Sequence, residues 1–469
     1  MKIRLFVLIL ICTVLCFTGC GESEPENNTT DVELSENGKE TADANLVSEE
    51  LETETDNTDS TSLTPKSENG NSNSDTGKTD TDVNNTELVS PSPSDTPISS
   101  DEHDHLANAP FKDTMYDYHF AGIKSAEGRV DPADYISVSD YGVLPDSEAD
   151  YSDIIIRAVK DAASKDKYLY FPEGTYHVKN VKVENVKNAM ICGAGEKTVL
   201  MTADDAVGEV KWDIAVGFYN CDNCVVRDIT FDGNNGKVVG DTSVGVLQLR
   251  IDNCENASVF GCRFQNNNSG NINVVGQAEG LKIYYCDFLN SDCSIVVMPG
   301  YITNGYICNN FIDGQDWIWS EPISLYNSPD DDKPNSNVVI SGNDIRNHTQ
   351  AAGGVFITYP SKDIYVQNNY FYKCGAAVGS GSRLQSEEDD RGPWDVICRD
   401  NVIESPTWHG FGLLYATGWT IENNTITNIT DGFAVYLDQC RDNTIKDNSI
   451  DGSRVYQVGC SGNVIMRNN

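Results

Sequence analysis

The sequence predicts an all-β fold, a parallel β-helix, for the part of the chain that follows about residue 136. Three observations predict it: a short pattern that recurs every 20 to 33 residues, an Asn or Cys at one fixed position of that pattern, and a helical stretch just before it begins. Repeats of this length leave no room for a helix between strands, which excludes leucine-rich horseshoes and α-solenoids. A coil of short parallel strands is the remaining solution.

Each repeat contains an apolar residue, then Asn or Cys three positions later, then Phe or Ile two positions after that. The central residues are Cys262, Cys286, Asn310, Asn343, Asn369, Asn401, Asn424, Asn448 and Asn468. Alternating apolar residues indicate strands with one buried side, and an Asn at a turn can bond both to the turn backbone and to the Asn of the next coil. We therefore expect these residues to stack in one column, with about 4.8 Å between coils.

A second apolar strand follows in most repeats. The predicted segments are Asn271 to Val275, Ser294 to Met298, Pro322 to Tyr326, Gly354 to Thr358, Phe411 to Tyr415 and Phe433 to Asp438. Each coil therefore contributes more than one strand to the stack.

The segment before the repeats predicts how the coil begins. Ile154 to Ser164 has helical apolar spacing, and a short amphipathic helix there would cover the open edge of the first coil. Residues 138–142 (VSDYG) and 171–176 (FPEGTY) resemble the N-terminal cap of the pectate-lyase-3 and polygalacturonase-related proteins. The resemblance implies a right-handed, pectin-lyase-like parallel β-helix with a short N-terminal capping helix. It leaves the reaction open, because that superfamily includes hydrolases, lyases, epimerases and non-catalytic binders.

The first 20 residues predict an export signal. Lys2 and Arg4 precede an apolar run that is short for a membrane span, and Cys20 follows it. Residues 17–20 (FTGC) resemble a bacterial lipoprotein signal, which implies lipidation of Cys20 and a protein anchored at the outer face of a bacterial membrane. An ordinary cleaved signal with an incidental cysteine is the alternative.

Residues 21–110 predict a disordered acidic linker. Between Gly21 and His105 there are 23 acidic residues, 3 basic residues and no Phe, Trp or Tyr. Such a segment buries too little apolar surface to fold, and self-repulsion extends it. We expect a tether followed by a β-helix domain over residues 111–469, with its cap at 136–178 and its coils at 179–469.

Charge and cysteine spacing limit the partners. The net charge of −39 argues against nucleic acid as a partner, because nucleic-acid phosphates need a basic surface.

Four cysteines share one repeat position: Cys221, Cys254, Cys440 and Cys460. This spacing predicts small apolar residues stacked inside the solenoid, although disulfides remain an alternative. No second pair or histidines accompany Cys221 and Cys224 in the pattern of a zinc site, so no metal site is predicted.

Functional residues are expected on an outer face, in a groove walled by the longest turns. Those turns are Asn234 to Thr242, Gln315 to Lys333 and Ser380 to Trp394. The second contains Asp316 and Glu321, which are predicted as catalytic carboxylates, and Trp317 and Tyr326, which are predicted to bind substrate. Aromatic rings beside carboxylates suit a sugar-binding cleft. Packing of the tryptophans beneath their own loops is the alternative.

Polygalacturonase-like enzymes carry Asn-Thr-Asp, Asp-Asp, Gly-His-Gly and Arg-x-Lys in consecutive turns. The corresponding positions are Asp292, Asp316, His348 and Arg383, which agree in order and approximate spacing but poorly in their neighbours. The resemblance implies that Asp292 and Asp316 act as acid and base, that His348 binds substrate and that Arg383 holds a substrate carboxylate. Exposed carboxylates at turn tips are the structural alternative.

A second constellation follows at Trp408, His409, Asp431 and Asp438, with Tyr415 nearby. His409 and Asp431 precede the same strand in adjacent turns, so they are predicted as a catalytic pair, with the other three binding substrate. A carboxylate that only fixes the tautomer of the histidine is the alternative.

These observations favour a surface-anchored enzyme that cleaves glycosidic bonds of pectin-like or other plant or acidic polysaccharides, as a glycoside hydrolase. One alternative is a polysaccharide lyase, with Arg250, Arg383 or Tyr415 as base and Ca²⁺ at Asp330 to Asp332. The other is a non-catalytic glycan-binding or adhesion solenoid. No cofactor is predicted apart from Ca²⁺ in the lyase case.

Overall fold

The computed structural model describes residues 132–203, 214–234, 247–314, 321–327, 333–381, 392–452 and 454–468. These residues form a parallel solenoid of strands preceded by one α-helix, α1 (Ser152–Ser164). None of the described helices has the length and apolar character needed to cross a membrane. The predicted signal with Cys20 and the predicted linker lie outside the described residues.

The strands are short except where one bends around a corner of the coil. In chain order they are β1 (Tyr135–Ser137), β2 (Tyr168–Phe171), β3 (Gly174–Val178), β4 (Val181–Glu184), β5 (Met190–Thr202), β6 (Ile214–Tyr219), β7 (Val225–Asp232), β8 (Leu247–Glu255), β9 (Ser258–Phe260), β10 (Arg263–Glu279), β11 (Lys282–Tyr284), β12 (Asp287–Cys308), β13 (Phe311–Asp313), β14 (Ile323–Leu325), β15 (Asn335–Ser341), β16 (Asp344–Arg346), β17 (Val355–Thr358), β18 (Ser361–Gln367), β19 (Tyr370–Tyr372), β20 (Ala376–Gly381), β21 (Trp394–Arg399), β22 (Val402–Glu404), β23 (His409–Leu414), β24 (Thr420–Glu422), β25 (Thr425–Thr427), β26 (Phe433–Asp438), β27 (Thr444–Lys446), β28 (Ser449–Ile450), β29 (Val455–Val458) and β30 (Val464–Met466).

The pairings sort these strands into three parallel sheets, which we name A, B and C. Sheet A contains β1, β2, β5, β7, β9, β11, β12, β15, β18, β21, β24, β27 and β30. Sheet B contains β3, β5, β7, β10, β12, β13, β16, β19, β22, β25 and β28. Sheet C contains β4, β6, β8, β10, β12, β14, β17, β20, β23, β26 and β29. The predicted second strands are the strands of sheet C, and Phe433–Asp438 has the predicted bounds.

The predicted asparagine column is confirmed at the corner between sheets A and B. The backbone N–H and the side-chain Nδ2 of Asn310 both donate to Oδ1 of Asn343, at 3.0 and 2.9 Å. The same pair of bonds continues coil by coil to Asn468. The residue before most of these asparagines is left-handed, which makes the corner tight and favours Asn and Asp there. Satisfied buried amides explain why Asn recurs at this position.

The interior is filled by columns of inward-facing side chains, and each inward position of a strand contributes one column. Phe231, Phe264 and Phe288 of sheet B stack at 4.9 and 5.0 Å between ring centroids, close to the rise between coils. All twelve cysteines of the described residues are free thiols, and all but Cys460 are buried. The prediction of small buried residues therefore holds at Cys221, Cys254 and Cys440.

Helix α1 forms where the apolar spacing predicts it. Its buried face comprises Ile155, Ala158, Val159 and Ala162, and it packs against β2, β4 and β5. The Asp150 carboxylate accepts from the backbone N–H of Ser152 at 2.9 Å and so satisfies a donor of the first turn. Its role as a cap of the first coil stays a prediction.

Candidate functional site

The outer face of sheet C gathers most of the described candidate residues. Alternate residues of each strand point into the core, so the residue between them points outward. The outward row in successive coils is Arg250, Asn273, Val296, Ser324, Phe356, Gly379, Gly412, Tyr436 and Tyr456. Along the solenoid axis this row begins with two polar residues, contains two adjacent glycines and ends with two tyrosines.

Four rings at the aromatic end form a surface that we call the aromatic platform: His409, Phe433, Tyr436 and Tyr456. His409 stacks on Tyr436 with ring centroids 4.8 Å apart and planes 6° apart. Phe433 stacks on Tyr456 at 4.7 Å and 15°. The Tyr456 side of this stack is open, since that residue is 44% exposed. A stacked, partly exposed set of rings offers a flat apolar surface to a sugar ring.

The imidazole of His409 is neutral at neutral pH because burial lowers its pKa to about 4. Its Nδ1 accepts a hydrogen bond from the backbone N–H of Phe433 at 3.1 Å. The predicted partner Asp431 is exposed. The backbone amide of Phe433 therefore orients this ring, and the His409 and Asp431 pair stays a prediction.

Asp438 lies at the end of β26, beside the platform. The hydroxyl of Tyr436 donates to its carboxylate at 3.4 Å, and burial raises the pKa of Asp438. Burial and this carboxylate together raise the pKa of Tyr436 to about 12. A carboxylate and a hydroxyl thus flank the rings, where they can bond to sugar hydroxyls.

Glu321 lies on the same side of the molecule, just before β14. The Tyr326 hydroxyl donates to its carboxylate at 2.8 Å, and the backbone N–H of Ala352 donates as well. Burial raises the pKa of Glu321 to about 7, because removal from water disfavours the charged carboxylate more than these two bonds favour it. The carboxyl is therefore partly protonated at neutral pH, as a general acid requires.

The register relates Glu321 to the other candidates. Ile323 pairs with Ile295, so Glu321 lies opposite Cys293 and one residue from the level of Asp292 in the preceding coil. In the other direction, the same register leads from Glu321 through Ala376 to His409, three coils away or roughly 14 Å. One outer face thus contains the backbone of Asp292, the Glu321 carboxyl and the aromatic platform.

His348 does not fit its predicted role in substrate binding. Its side chain is 0% exposed, and its ring lies so close to Gly314 that a Cβ there would approach it to 2.7 Å. The residue was aligned by spacing alone, and spacing does not distinguish an outward from an inward position. Its burial argues against the predicted contact with substrate.

Trp408 and Tyr415 flank β23 and are both half-buried, and they stay predictions as substrate-binding residues. Asp316, Trp317 and Arg383 lie outside the described residues. So does the side chain of Asp292, although its backbone belongs to β12.

Arg250, a candidate base in the lyase alternative, forms a bidentate pair. Its Nε and Nη2 donate to Asp252 at 3.1 and 2.8 Å, and its guanidinium lies 5.5 Å from the ring centre of Tyr219. Two of its nitrogens are therefore engaged with Asp252. The candidate calcium loop, residues 330–332, lies outside the described residues, and within them no group of three or more His, Cys, Asp and Glu could hold a metal ion.

The sequence reasoning missed Phe433, Tyr436 and Tyr456 as site residues. The signal was available, because Tyr436 and Tyr456 alternate with inward-facing apolar residues and are 20 residues apart, one short repeat. Reading the outward row together with the inward one would have found the platform.

Comparisons with known proteins agree with this architecture. Residues 135–275 match the family described as rhamnogalacturonase A/epimerase, pectate lyase-like, and residues 293–469 match the family described as periplasmic copper-binding protein (NosD). Both matches, together with the parallel pairing of the strands, support a right-handed parallel β-helix of the pectin-lyase-like superfamily. No curated protein matches the sequence.

Among solved structures, this β-helix is similar to an exopolygalacturonase from Thermotoga maritima, with 14% identity and a TM-score of 0.56 over 71% of this chain and 92% of that one. It is also similar to the surface adhesin PfbA of Streptococcus pneumoniae, with 16% identity and a TM-score of 0.53 over 71% and 90%. A third similar structure is the tailspike of Escherichia coli bacteriophage HK620 in complex with hexasaccharide, with 14% identity and a TM-score of 0.52 over 75% and 73%. Likeness at these identities establishes the fold and leaves the activity to the site.

Proposed function

We propose that this β-helix is a polysaccharide-cleaving glycoside hydrolase that binds its glycan along the outer face of sheet C. The observation that supports this most is Glu321, a buried carboxyl whose pKa is raised to about 7 on the face that also carries the aromatic platform. The register separates them by only three coils, so a polymer lying along the solenoid axis would pass over both, and Glu321 itself is 3% exposed.

In this proposal Glu321 protonates the glycosidic oxygen of the leaving sugar. Tyr326 donates to the same carboxyl and holds its orientation while Glu321 is deprotonated. Asp292, one coil earlier, is the second carboxylate, and adjacent coils permit the 5 to 10 Å separations that retaining and inverting enzymes use. The stereochemical outcome depends on which separation the two side chains adopt.

The platform supports a sugar ring by stacking, and its polar neighbours in the described chain are the carboxylates of Asp431 and Asp438. A polyuronate would be repelled there unless Arg383 or a bound cation compensated. We therefore expect pectin-like or other plant polysaccharides to be bound at the platform through uncharged sugar units.

A non-catalytic glycan-binding solenoid is the second candidate. The hydrogen bond from the Phe433 N–H to Nδ1 of His409 favours it, because this bond occupies the basic nitrogen of the imidazole and leaves the ring as a stacking surface. The similarity to an adhesin is compatible with this reading.

The decisive experiment incubates the purified full-length protein with neutral and acidic plant glycans. New reducing ends without unsaturated products would support the hydrolase, and ultraviolet absorbance from unsaturated products would replace it with a lyase. Glycan retention without either product would establish the binder and overturn the proposed hydrolysis.

We also propose that the protein is exported and anchored to a membrane through lipid on Cys20. Metabolic labelling with a fatty acid should mark the protein, and Cys20→Ser should abolish the label and release the protein from the membrane fraction. Unlabelled protein that is recovered in the medium would contradict the anchor.

A further inference from the structure

Cysteines lie opposite each other in neighbouring coils at three places in the part of the chain that the structure describes. The pairs are Cys221 with Cys254, Cys262 with Cys286 and Cys440 with Cys460, and each is flanked by backbone positions that pair between coils. Opposite residues of neighbouring coils have Cα atoms about 4.8 Å apart, and disulfides bridge Cα atoms about 4.4 to 6.8 Å apart. The spacing therefore permits a bridge at each of the three pairs.

Solvent access distinguishes the third pair from the other two. The four thiols of the first two pairs are 0 to 2% exposed, and Cys440 is 0% exposed. Cys460 is the one cysteine among the described residues that is partly exposed. A dissolved oxidant must contact a thiol before it can react with it, so within these three pairs Cys460 is the entry point.

The fold already brings Cys440 and Cys460 into contact. The backbone N–H of Cys440 donates to Sγ of Cys460 at 3.4 Å, so the Cys460 thiol reaches its counterpart in the preceding coil. Sγ of Cys440 donates to the carbonyl oxygen of Leu413 at 3.4 Å, and a rotation about its Cα–Cβ bond turns it from that carbonyl toward Cys460. Both cysteines lie outside the strands, in the corner that follows sheet C, so a bridge there leaves the pairing of β26 with β29 intact.

The coil that carries β29 and β30 is less completely packed than the coils before it. Val464, Ile465 and Met466 of β30 are 40 to 46% exposed, whereas Ile445, opposite Ile465 in the preceding coil, is 0% exposed. The same coil carries Tyr456 of the aromatic platform. Weaker packing makes a segment easier to open locally, and a covalent link to the preceding coil would oppose that opening.

We propose that Cys440 and Cys460 are a site of disulfide formation, and that the bond fastens the coil of β29 to the coil of β26. In the oxidised form Tyr456 is held against Phe433, and the aromatic platform is fixed. In the reduced form, which the structure shows, hydrogen bonds and partial packing hold the coil of β29. Neither thiol takes part in the proposed hydrolysis.

The bond forms by exchange with a small disulfide such as oxidised glutathione. The Cys460 thiolate attacks one sulfur of the oxidant and expels one thiolate, which leaves a mixed disulfide on Cys460. Cys440 then gives up its proton and attacks Sγ of Cys460, which expels the second thiolate. The protons of the two cysteines end on the two released thiols, so two protein thiols are oxidised and one disulfide of the oxidant is reduced. Burial raises the pKa of Cys440 to about 12, which makes the exposed Cys460 the thiol that reacts first.

Peptide mapping of the purified full-length protein tests whether the bond forms. Trypsin separates the two cysteines into residues 400–441 and 455–467, and neither peptide contains another cysteine. The folded protein is incubated with oxidised glutathione, and the remaining thiols are then alkylated under denaturing conditions. We expect the two peptides to be linked, while the buried pairs Cys221 with Cys254 and Cys262 with Cys286 are recovered alkylated and serve as internal controls.

Two outcomes of the mapping would overturn the proposal. Recovery of Cys460 as a stable mixed disulfide with glutathione, with Cys440 alkylated, would show that the two sulfurs do not meet. Linkage of the buried pairs at the same rate would show that unfolding, and not the exposure of Cys460, gives the oxidant access.

Two matched variants test the order of the steps. Cys440→Ala should stop at the mixed disulfide on Cys460, and it should fold normally because Ala416 occupies this position in the preceding coil. Cys460→Ser should leave Cys440 unmodified, because its thiol is 0% exposed. Rapid modification of Cys440 in Cys460→Ser would contradict the assignment of Cys460 as the entry point.

Hydrogen exchange measures what the bond does to the coil. Oxidation should slow exchange of the backbone amides of β29 about tenfold, because the link restricts the opened state of this coil. Exchange in β17, in the middle of the solenoid, should stay unchanged, as should exchange of β29 in Cys440→Ala with and without the oxidant. Equal exchange of β29 in the reduced and oxidised forms of the unmodified protein would overturn the fastening role.

Discussion

The outer faces of sheets A and C are built on the same coils and differ in what their outward rows contain. Sheet A presents bulky apolar residues in consecutive coils, Phe260, Tyr284, Tyr306 and Val339, and all are shielded. Sheet C is equally shielded at Val296, Ser324 and Phe356, and the difference comes after them, where its row presents Gly379 and Gly412 and then Tyr436 and Tyr456, the last of them 44% exposed. Bulky apolar side chains in consecutive coils suit permanent packing, whereas a small floor beside exposed rings suits a ligand that comes and goes.

The comparison shows that the inward and outward rows of a solenoid carry different information, the inward rows about the fold and the outward rows about the use of each face. Inward residues set the coil and are interchangeable apolar side chains, such as Ile283 and Ile307. Outward residues do not pack against anything until another group covers them. Their chemistry therefore indicates what each face binds or packs against. The predictions below test whether the two faces are as different as their rows indicate.

The largest expected effect concerns Glu321, the one described carboxyl of the sheet C face whose pKa reaches about 7. If it is the proton donor, Glu321→Gln should lower the rate of glycan hydrolysis about 10²- to 10⁴-fold. Product formation measured with the glycan that the unmodified protein cleaves checks this. Glu404→Gln serves as the matched control for charge removal, because Glu404 lies on sheet B and its carboxylate also accepts from a tyrosine hydroxyl, that of Tyr370, at 2.8 Å. Unchanged hydrolysis in Glu321→Gln would make this carboxyl a structural group.

The same substitution has an opposite effect on stability. The pKa of Glu321 is raised in the folded state, so the folded protein keeps this proton between about pH 4.5 and 7 while the unfolded chain releases it, and stability falls as the pH rises through that window. At pH 8 Glu321→Gln should therefore stabilise the fold by about 3 kcal/mol, and at pH 4 by little. Denaturant titrations at the two pH values measure the difference.

The next effect compares one tyrosine from each face. Tyr284→Ala removes a shielded, stacked ring from sheet A and should lower the free energy of unfolding by about 3 kcal/mol. Tyr456→Ala removes a ring that is 44% exposed and should cost less than about 1 kcal/mol. Chemical denaturation of both variants measures this, and similar losses would break the distinction between the faces.

A smaller effect is expected on glycan binding. Tyr456→Ala removes one stacking ring of the platform, which should weaken binding about tenfold. Tyr372→Ala, on the outer side of sheet B, removes a half-buried tyrosine that stacks on Tyr370 at 6.4 Å and should leave the affinity unchanged. Affinity electrophoresis in glycan gels compares the two, and equal weakening would exclude the platform as the specific site.

The architecture of this fold could be predicted from the sequence because one sequence pattern repeats along the chain. Asn310, Asn343, Asn369 and Asn401 recur at the same corner, where each must satisfy the same buried donors, so spacing alone located the column. Strand positions followed from period-two burial. Nothing comparable fixes the outer faces, where each residue has its own environment.

The candidate site was therefore only partly predictable. Glu321 and His409 were selected as candidates from their residue type and their place beside the strands of sheet C, but the N–H that binds His409 belongs to the backbone, which no sequence pattern displays. His348 was misassigned because order along the chain does not reveal which way a side chain points. Tyr436 and Tyr456 were missed because aromatic residues near the end of a solenoid also suit its core.

The last prediction tests the floor of the sheet C row with two glycines from neighbouring coils. A Cβ on Gly412 would meet the side chains of Ala376 and His409 at 3.5 Å, an ordinary contact, whereas a Cβ on Gly379 would meet the carbonyl oxygen of Ala352 at 2.3 Å and the Phe356 ring at 2.8 Å. Gly412→Ala should thus fold normally and weaken glycan binding about fivefold, because the methyl group raises the floor beside the platform. Gly379→Ala should instead lower the melting temperature.

These two substitutions add the same methyl group to the same row, so they separate a steric effect on the ligand from one on the fold. Calorimetric melting and glycan affinity measured on both variants complete the comparison. If Gly412→Ala binds as tightly as the unmodified protein, the glycan does not contact this floor, and the binding face must be sought nearer to Arg250 and Asn273. If Gly412→Ala also loses stability, the space above Gly412 is needed by the protein's own side chains, and the difference between the two faces disappears at that point.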